Sequence, residues 1–225
     1  KLVRELMGGK RKLYVVDQHV SFEEAAKILR RHRIEKLPLV NKTGRLRGLI
    51  TAHGLFYKDH YPRATRDEKG RFLKVGSIGV GFKFDKKHLY EVEAQVKKGI
   101  SLILIDTARA NSINAKEALI AVKKHFPKLP VIIGNTCNPA CVKALFEYGA
   151  DVVKVGIGPG NACTTRRVGI GMPQLSAVAK CAAIARMDTS GKRKIIADGG
   201  IGGPDAVAKA IIAGADAVMI GRLFA

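Results

Sequence analysis

The sequence predicts an α/β protein: a TIM-type (β/α) barrel with about six β/α units, preceded by a small α+β module. From residue 72 onward, six near-continuously apolar stretches alternate with helix-like stretches, which is typical of parallel strands covered by helices. Before residue 59 the pattern changes to one amphipathic helix, a strand, a turn and a second strand. Apolar residues make up 47% of the 225 residues, which is ample for a core.

The N-terminal helix is predicted from Ser21 to Arg33, with Ser21 as its cap and Glu24 three residues later. LPLV, NKTG and RLRGLIT then predict a strand, a turn and a strand, and the polar stretch 59–71 predicts a connector. The helical spacing rests on the apolar residues Phe22, Ala25, Ala26, Ile28 and Leu29.

Three of the six predicted barrel strands end in a chemically distinctive side chain: Asp106, Asn135 or Asp198. A parallel barrel collects its active site where the strands end, so we expect these side chains to meet. The alternative is that they only form turns. The six strands are predicted within FLKVGSIGV, SLILIDTA, PVIIGNT, DVVKVGIG, KIIADGGI and DAVMIGRLFA.

A glycine-rich loop, GIGPGNAC, follows the fourth of these strands and contains Cys163. Glycines let the backbone approach a ligand closely, and nearby positive charge, such as Arg166 or Arg167, favours the reactive thiolate. The residues alone leave two interpretations open, a catalytic nucleophile or a small buried side chain.

A second candidate motif is ADGGIGGPDAVAKAI, in which Asp198 ends a predicted strand and a predicted helix begins near Asp205. A carboxylate there can accept hydrogen bonds from both ribose hydroxyls, while glycine amides and a helix N-terminus suit a phosphate. Gly221 closes the next strand. These features predict a ribose phosphate whose ring lies beside the thiol.

Composition indicates which ligands, cysteine chemistry and localisation to expect. The net charge of +21 favours anionic ligands, but no nucleic-acid motif accompanies it, so we interpret it as a solvated surface and expect no nucleic acid partner. The four cysteines lack zinc spacing and are too sparse for a disulfide scaffold. No apolar run suggests a membrane span or signal peptide. We therefore expect a cytoplasmic protein with reduced thiols.

Four segments, VKVGIGPGNACTTR, GIGMPQLSAV, ADGGI and GADAVMIG, resemble the inosine monophosphate (IMP) dehydrogenase and guanosine monophosphate (GMP) reductase family. The segment around LPLV and GLIT resembles the second half of a CBS motif, which the dehydrogenases insert into their barrel. This resemblance implies a CBS-like module at 1–58, a connector at 59–71, and strands 3 to 8 of the family barrel at 72–225. Three positions after Thr51, Gly54 replaces the usual acidic residue.

The resemblance also implies site residues and ligands. It makes Cys163 the nucleophile that attacks C2 of the purine, with Thr165 as its helper. The substrate would be a purine nucleoside monophosphate, the cofactor NAD and the assembly a homotetramer. The residues that it implies for substrate binding are Asn161, Asp198, Gly200, Gly221 and Arg222. Asp106 and Asn135 would border the nicotinamide pocket. The backbone carbonyls of Gly158, Gly160 and Cys163 would bind a monovalent cation, K⁺.

The chain departs from the family pattern at several points. Asn161 and Arg222 stand where serines are usual, DTARANS replaces DTAHGHS, and the loop after Arg166 is one residue shorter. We expect a fragment or degenerate relative, with the water-activating flap beyond Ala225 and negligible steady-state turnover from this chain alone. The leading interpretation is NAD-dependent oxidation of IMP to xanthosine monophosphate (XMP). The alternatives are NADPH-dependent GMP reduction and an inactive nucleotide-binding paralogue.

Overall fold

The computed structural model describes residues 13–61, 63–68, 70–81, 84–161 and 163–224. The first twelve residues of the expected CBS-like module, the loop residue Ala162 and the final Ala225 lie outside the described residues. The chain divides into two compact units, with the boundary in the sequence between Phe72 and Leu73. Each unit is described by itself.

The N-terminal unit contains a three-stranded sheet and two helices. Ser21 accepts a hydrogen bond from the Glu24 amide at 3.2 Å and begins the first helix, which buries Ala25 and Leu29 against Leu37. Strand β1 is parallel to β2, and β2 is antiparallel to β3. The elements are β1 (Val16–Asp17), α1 (Phe22–His32), β2 (Lys36–Val40), β3 (Leu46–Thr51) and α2 (Ala52–His60).

Two elements of this unit, β1 and α2, were not expected from the sequence. β1 has only two residues, too few for an apolar period to show. Helix α2 begins because the Thr51 hydroxyl accepts a hydrogen bond from the Gly54 amide at 2.9 Å, and it ends at His60, so it enters the predicted connector. The CBS-like identity of this unit stays a prediction.

The C-terminal unit confirms the predicted (β/α) architecture. Its six strands form one parallel sheet in chain order, β4 to β9, which is a partial TIM-type barrel. The strands and helices are β4 (Val75–Ile78), α3 (Lys86–Lys97), β5 (Leu102–Asp106), α4 (Ile113–His125), β6 (Val131–Thr136), α5 (Pro139–Glu147), β7 (Val152–Val155), α6 (Thr164–Arg167), α7 (Gln174–Arg186), β8 (Lys194–Asp198), α8 (Pro204–Ile212) and β9 (Ala217–Met219), followed by a 3₁₀ turn at Arg222–Phe224.

Apolar strand residues and the inner faces of the helices form the core of this unit. Ile103, Ile133, Val153 and Ile195 are fully buried on four neighbouring strands. At the start of the strands, Asp151 accepts hydrogen bonds from the Val131 amide at 2.8 Å and from the Lys123 ammonium at 3.0 Å. Asp151 thus links α4 and the start of β6 at this end of the sheet.

No helix in the described part of the chain is long and apolar enough to cross a membrane. Across the same residues, no group of three or more histidine, cysteine, aspartate or glutamate side chains could hold a metal ion.

Candidate functional site

Polar side chains from four consecutive strands meet where the strands end. β5 contributes Asp106, β6 contributes Asn135, β7 contributes Lys154 and β8 contributes Asp198. The Asn135 amide donates to the Asp198 carboxylate at 2.9 Å and to the Gly156 carbonyl at 2.9 Å. The sequence predicted the meeting of the two aspartates and the asparagine, but it did not single out Lys154.

A β-bulge aims Asn135 into this cluster. Gly134 pairs with Lys154 and Thr136 pairs with Val155, so Asn135 is the extra residue on β6. A bulge turns a side chain away from the alternation that a regular strand imposes, and bulges commonly occur beside active sites. The carboxamide consequently reaches both neighbouring strands.

Lys154 is the electrostatic centre of the cluster. Its side chain is buried, with the whole residue 4% exposed, and its ammonium donates to Asp198 at 2.7 Å and to Asn135 at 2.5 Å. It also lies 3.2 Å from the Asp106 carboxylate, two strands away. Gly134 permits this reach, because a Cβ there would lie 2.5 Å from the Lys154 Cβ.

Gln174, the first residue of α7, fixes the backbone behind the cluster. Its side-chain amide donates to the carbonyls of Val155 at 2.9 Å and Asp198 at 3.1 Å, so it joins the ends of β7 and β8. Its Oε1 is buried and has no hydrogen-bond partner among the described residues. Gln174 lies in the motif PQLSAV, but the sequence assigned it no role.

Cys163 lies immediately before the short helix α6 and is partly exposed. Its sulfur is 3.0 Å from the Thr165 hydroxyl. That hydroxyl, helped by the backbone amides of Thr165, Gly158 and Arg166, lowers the pKa of the Cys163 thiol below its ordinary value. Thr165 is therefore placed to favour the nucleophilic thiolate.

Two other cysteines have the opposite environment. Burial raises the pKa of Cys141 and raises that of Cys181 to about 12. Both are buried against the core, where a thiol behaves as a small apolar side chain. Of the catalytic and buried interpretations left open by the sequence, the accessible position of Cys163 favours the first.

We predict that Thr165→Val slows alkylation of Cys163 at pH 7. Losing the hydroxyl raises the thiol pKa, so a smaller fraction is thiolate at that pH, while the rate at high pH, where every thiol is ionised, stays the same. Iodoacetamide labelling followed by peptide mass spectrometry across pH measures the midpoint. The control is Thr164→Val, because the neighbouring Thr164 makes no hydrogen bond to the sulfur among the described residues. An unshifted midpoint in Thr165→Val contradicts the assignment.

The cysteine loop packs directly against the loop that follows Asp198. A Cβ added to Gly199 would lie 2.9 Å from the Gly160 amide nitrogen, and one added to Gly200 would lie 3.3 Å from the Pro159 Cβ. Gly199 and Gly200 have φ of +96° and +75°, which glycine adopts without strain. The structure therefore brings together the two motifs that the sequence singled out.

The remaining predicted residues are less tightly connected. Asn161 is exposed in the cysteine loop, and Gly221 and Arg222 are exposed after β9. Gly158, with φ of +99°, packs against Gly171, and the Gly160 carbonyl accepts a hydrogen bond from the Cys163 amide at 3.1 Å. Among the described residues, no hydrogen bond joins Arg222 to the strand-end cluster.

Two hollows among the described residues differ in what lines them. The larger, about 580 Å³, lies in the N-terminal unit among Tyr57, Tyr61, Arg66 and Phe72, and no thiol or carboxylate lines it. The smaller, about 280 Å³, adjoins Gly199, Gly200 and Gln174. Only the smaller one borders the loops that carry reactive groups.

Comparison with known proteins supports one family. The family profile described as "IMP dehydrogenase / GMP reductase domain" matches residues 7–225. Inosine-5'-monophosphate dehydrogenase of Aquifex aeolicus is 42% identical over 226 residues, covering 100% of this chain and 44% of that protein. The enzyme of the same name from Staphylococcus aureus is 44% identical over 208 residues, covering 92% and 41%. The chain thus spans less than half the length of these relatives.

Solved structures agree with the sequence comparison. A GMP reductase from Trypanosoma brucei has a TM-score of 0.71 at 33% identity, covering 93% of this chain and 46% of that one. The same reductase in complex with guanosine 5'-triphosphate has a TM-score of 0.66 at 33% identity, covering 93% and 49%.

Proposed function

Because this chain belongs to the IMP dehydrogenase / GMP reductase family, we propose that its site serves the NAD-dependent oxidation of IMP to XMP, a step towards guanine nucleotides. The observation that carries the proposal is the contact between two loops. Gly160, three residues before Cys163, packs on Gly199, the residue after Asp198. A thiol and a carboxylate suited to ribose are thereby presented from adjoining loops.

Substrate binding uses the groups around Asp198. Its carboxylate accepts hydrogen bonds from the ribose hydroxyls, and charge-assisted bonds of this kind are the strong ones. The amides after β8, including that of Gly200, and the loop residue Asn161 face the phosphate. Gly221 and Arg222 complete this phosphate site, where the guanidinium contributes the charge that a serine lacks.

The chemistry then proceeds at Cys163. The thiolate forms a bond to C2 of the purine, and the electron pair of the C2–H bond leaves as hydride. Asp106 and Asn135 would hold the nicotinamide cofactor, and NAD would supply the acceptor for that hydride. Water next adds to C2 and gives up one proton to solvent, the C–S bond breaks, and XMP leaves while the sulfur regains its thiolate form. Thr165 stabilises that thiolate before attack and after release.

The cofactor groups suit the residues present. Asp106, whose side chain is 55% exposed at the sheet end, and Asn135 border the space for the nicotinamide riboside. Carbonyl oxygens of Gly158, Gly160 and Cys163 are hard donors of the kind that K⁺ takes. The Gly160 carbonyl already accepts the Cys163 amide, and its second lone pair remains for an ion. We also propose a cytoplasmic homotetramer, as the family resemblance implies.

GMP reduction is the second candidate, and the structural similarity to GMP reductase favours it specifically. In that reaction the same cysteine displaces ammonia from GMP and NADPH supplies the hydride. An inactive nucleotide-binding paralogue is the third, supported by the shortened loop after Arg166 and by Arg222. NADH formed from IMP and NAD identifies the dehydrogenase, whereas NADPH consumed with GMP identifies the reductase. Neither signal in a single-turnover assay, with nucleotide bound, identifies the paralogue.

We predict that IMP protects Cys163 from alkylation. A purine held beside the sulfur blocks the reagent, so labelling slows roughly in proportion to site occupancy, by about tenfold at ten times the dissociation constant. Peptide mass spectrometry measures the Cys163 rate, and partly exposed Cys137 in the same sample is the control. Full labelling of Cys163 while calorimetry shows bound IMP contradicts the proposed site.

A further inference from the structure

We propose that Lys154 is a positioning residue that orients Asp198 for the ribose hydroxyls and links the substrate site to the nicotinamide site. This inference rests on the proposed nucleotide function. It starts from a buried lysine that the chemical steps at Cys163 do not use. A lysine is almost never buried unless it is paired. The position of Lys154 and of its three partners on neighbouring strands therefore requires an explanation.

The hydrogen-bond donors distinguish the two carboxylate oxygens of Asp198. Lys154 donates to Oδ2 at 2.7 Å and Asn135 donates to the same Oδ2 at 2.9 Å. One carboxylate oxygen has two lone pairs, so these two donors saturate Oδ2. No described residue donates to Oδ1. Oδ1 is therefore the oxygen left for a ligand, and the two donors on Oδ2 hold the carboxylate plane in one orientation.

The same ammonium connects the two predicted subsites. It lies 3.2 Å from the Asp106 carboxylate and donates to Oδ1 of the Asn135 side chain. These two residues border the proposed nicotinamide space. Gly134 stands between Asp106 and Lys154 in the sheet register, and its missing side chain leaves the path open. One cation thus fixes groups from β5, β6 and β8.

Fold stability alone does not account for this arrangement. Other pairs lie at the opposite end of the sheet: Lys123 of α4 pairs with Asp151, just before β7, at 3.0 Å, and Lys194 at the start of β8 pairs with Asp216, just before β9, at 3.3 Å. The first of these pairs is partly buried and the second is exposed. Burying an ion at the strand ends costs desolvation that an apolar side chain on β7 would avoid. A function at the open end of the barrel explains why a lysine stands there.

The test compares two ligands, IMP and 2′,3′-dideoxyinosine monophosphate, by calorimetry on the 225-residue chain. For the unmodified chain we expect the hydroxyls to improve affinity roughly ten- to hundredfold. In Lys154→Met we expect the ratio to fall below about threefold, since Asp198 loses its fixed orientation. Lys154→Gln keeps an uncharged N–H donor group, so we expect an intermediate ratio from it, and it serves as the test where the methionine variant does not fold.

Two references make the outcomes separable. Asp198→Asn shows the ratio when the carboxylate is absent, and Lys123→Met removes a lysine from the other end of the sheet without touching the site. A lysine with only a structural role weakens both ligands equally and leaves the ratio unchanged in both Lys154 variants, which overturns the inference. If the affinity ratio rises in the Lys154 variants, Lys154 competes with the ribose hydroxyls for Asp198, and that result also overturns the inference. If the unmodified chain binds neither ligand, the proposed function itself fails.

Discussion

Replacing Gly156 by alanine is expected to lower the free energy of unfolding of the C-terminal unit by about 3 to 5 kcal/mol. Gly156 directly follows β7, with φ of +155°, a conformation that side chains other than glycine rarely adopt. A Cβ there would overlap the carbonyl oxygen of Asp198. The Gly156 carbonyl also accepts from Asn135, so any shift of this residue disturbs the strand-end cluster.

The control for this prediction is Gly191→Ala. Gly191 also has a positive φ, +65°, but nothing lies within 4 Å of an added Cβ. It isolates the conformational cost, about 1 to 2 kcal/mol. Urea unfolding followed by circular dichroism measures both variants. Equal losses in the two variants contradict the close approach of Gly156 to Asp198, and with it the geometry that joins the cysteine loop to the ribose carboxylate.

The second large effect is expected from Cys163→Ser. A serine hydroxyl is a far weaker nucleophile at neutral pH than a thiolate, so formation of NADH from IMP and NAD in a single turnover should fall at least about a thousandfold. IMP affinity should stay within about threefold, because Asp198 and the phosphate loops are untouched. Stopped-flow absorbance and calorimetry measure the two quantities.

Cys137→Ser is the matched control for that experiment, since Cys137 is the other partly exposed cysteine and lies outside the glycine loop. Its single-turnover rate should equal that of the unmodified chain. Retained NADH formation in Cys163→Ser shows that hydride transfer does not pass through this sulfur.

The sheet was predictable because parallel strands covered on both faces must be apolar along their length. LILID and VIIGNT have this pattern, and the structure places strands at Leu102–Asp106 and Val131–Thr136. Helix α2 was not predictable in the same way. Its cap is a threonine that also ends a strand, and its aromatic residues, such as Phe56 and Tyr57, remain largely exposed rather than marking an apolar face.

The site was predictable where strand ends carry unusual residues, as at Asp106, Asn135 and Asp198. Lys154 was missed because a single charge inside VVKV contradicts the apolar pattern by which the strand was recognised. The signal was nevertheless present: a lysine on an otherwise buried strand requires acidic partners, and both aspartates end nearby strands. Gln174 was missed because its role depends on backbone carbonyls, which no sequence motif reveals.

The measurement that tests the central claim most directly is the intact mass of the chain after IMP and NAD are mixed with it and the reaction is quenched within one turnover. We expect a mass increase equal to IMP less two hydrogen atoms, one lost as hydride and one as the thiol proton; peptide mapping should locate it on Cys163, and it should be present in Cys137→Ser and absent in Cys163→Ser. An unmodified Cys163 under conditions where IMP is bound and NADH has formed, or an adduct located on another residue, would contradict the assignment of this cysteine as the nucleophile.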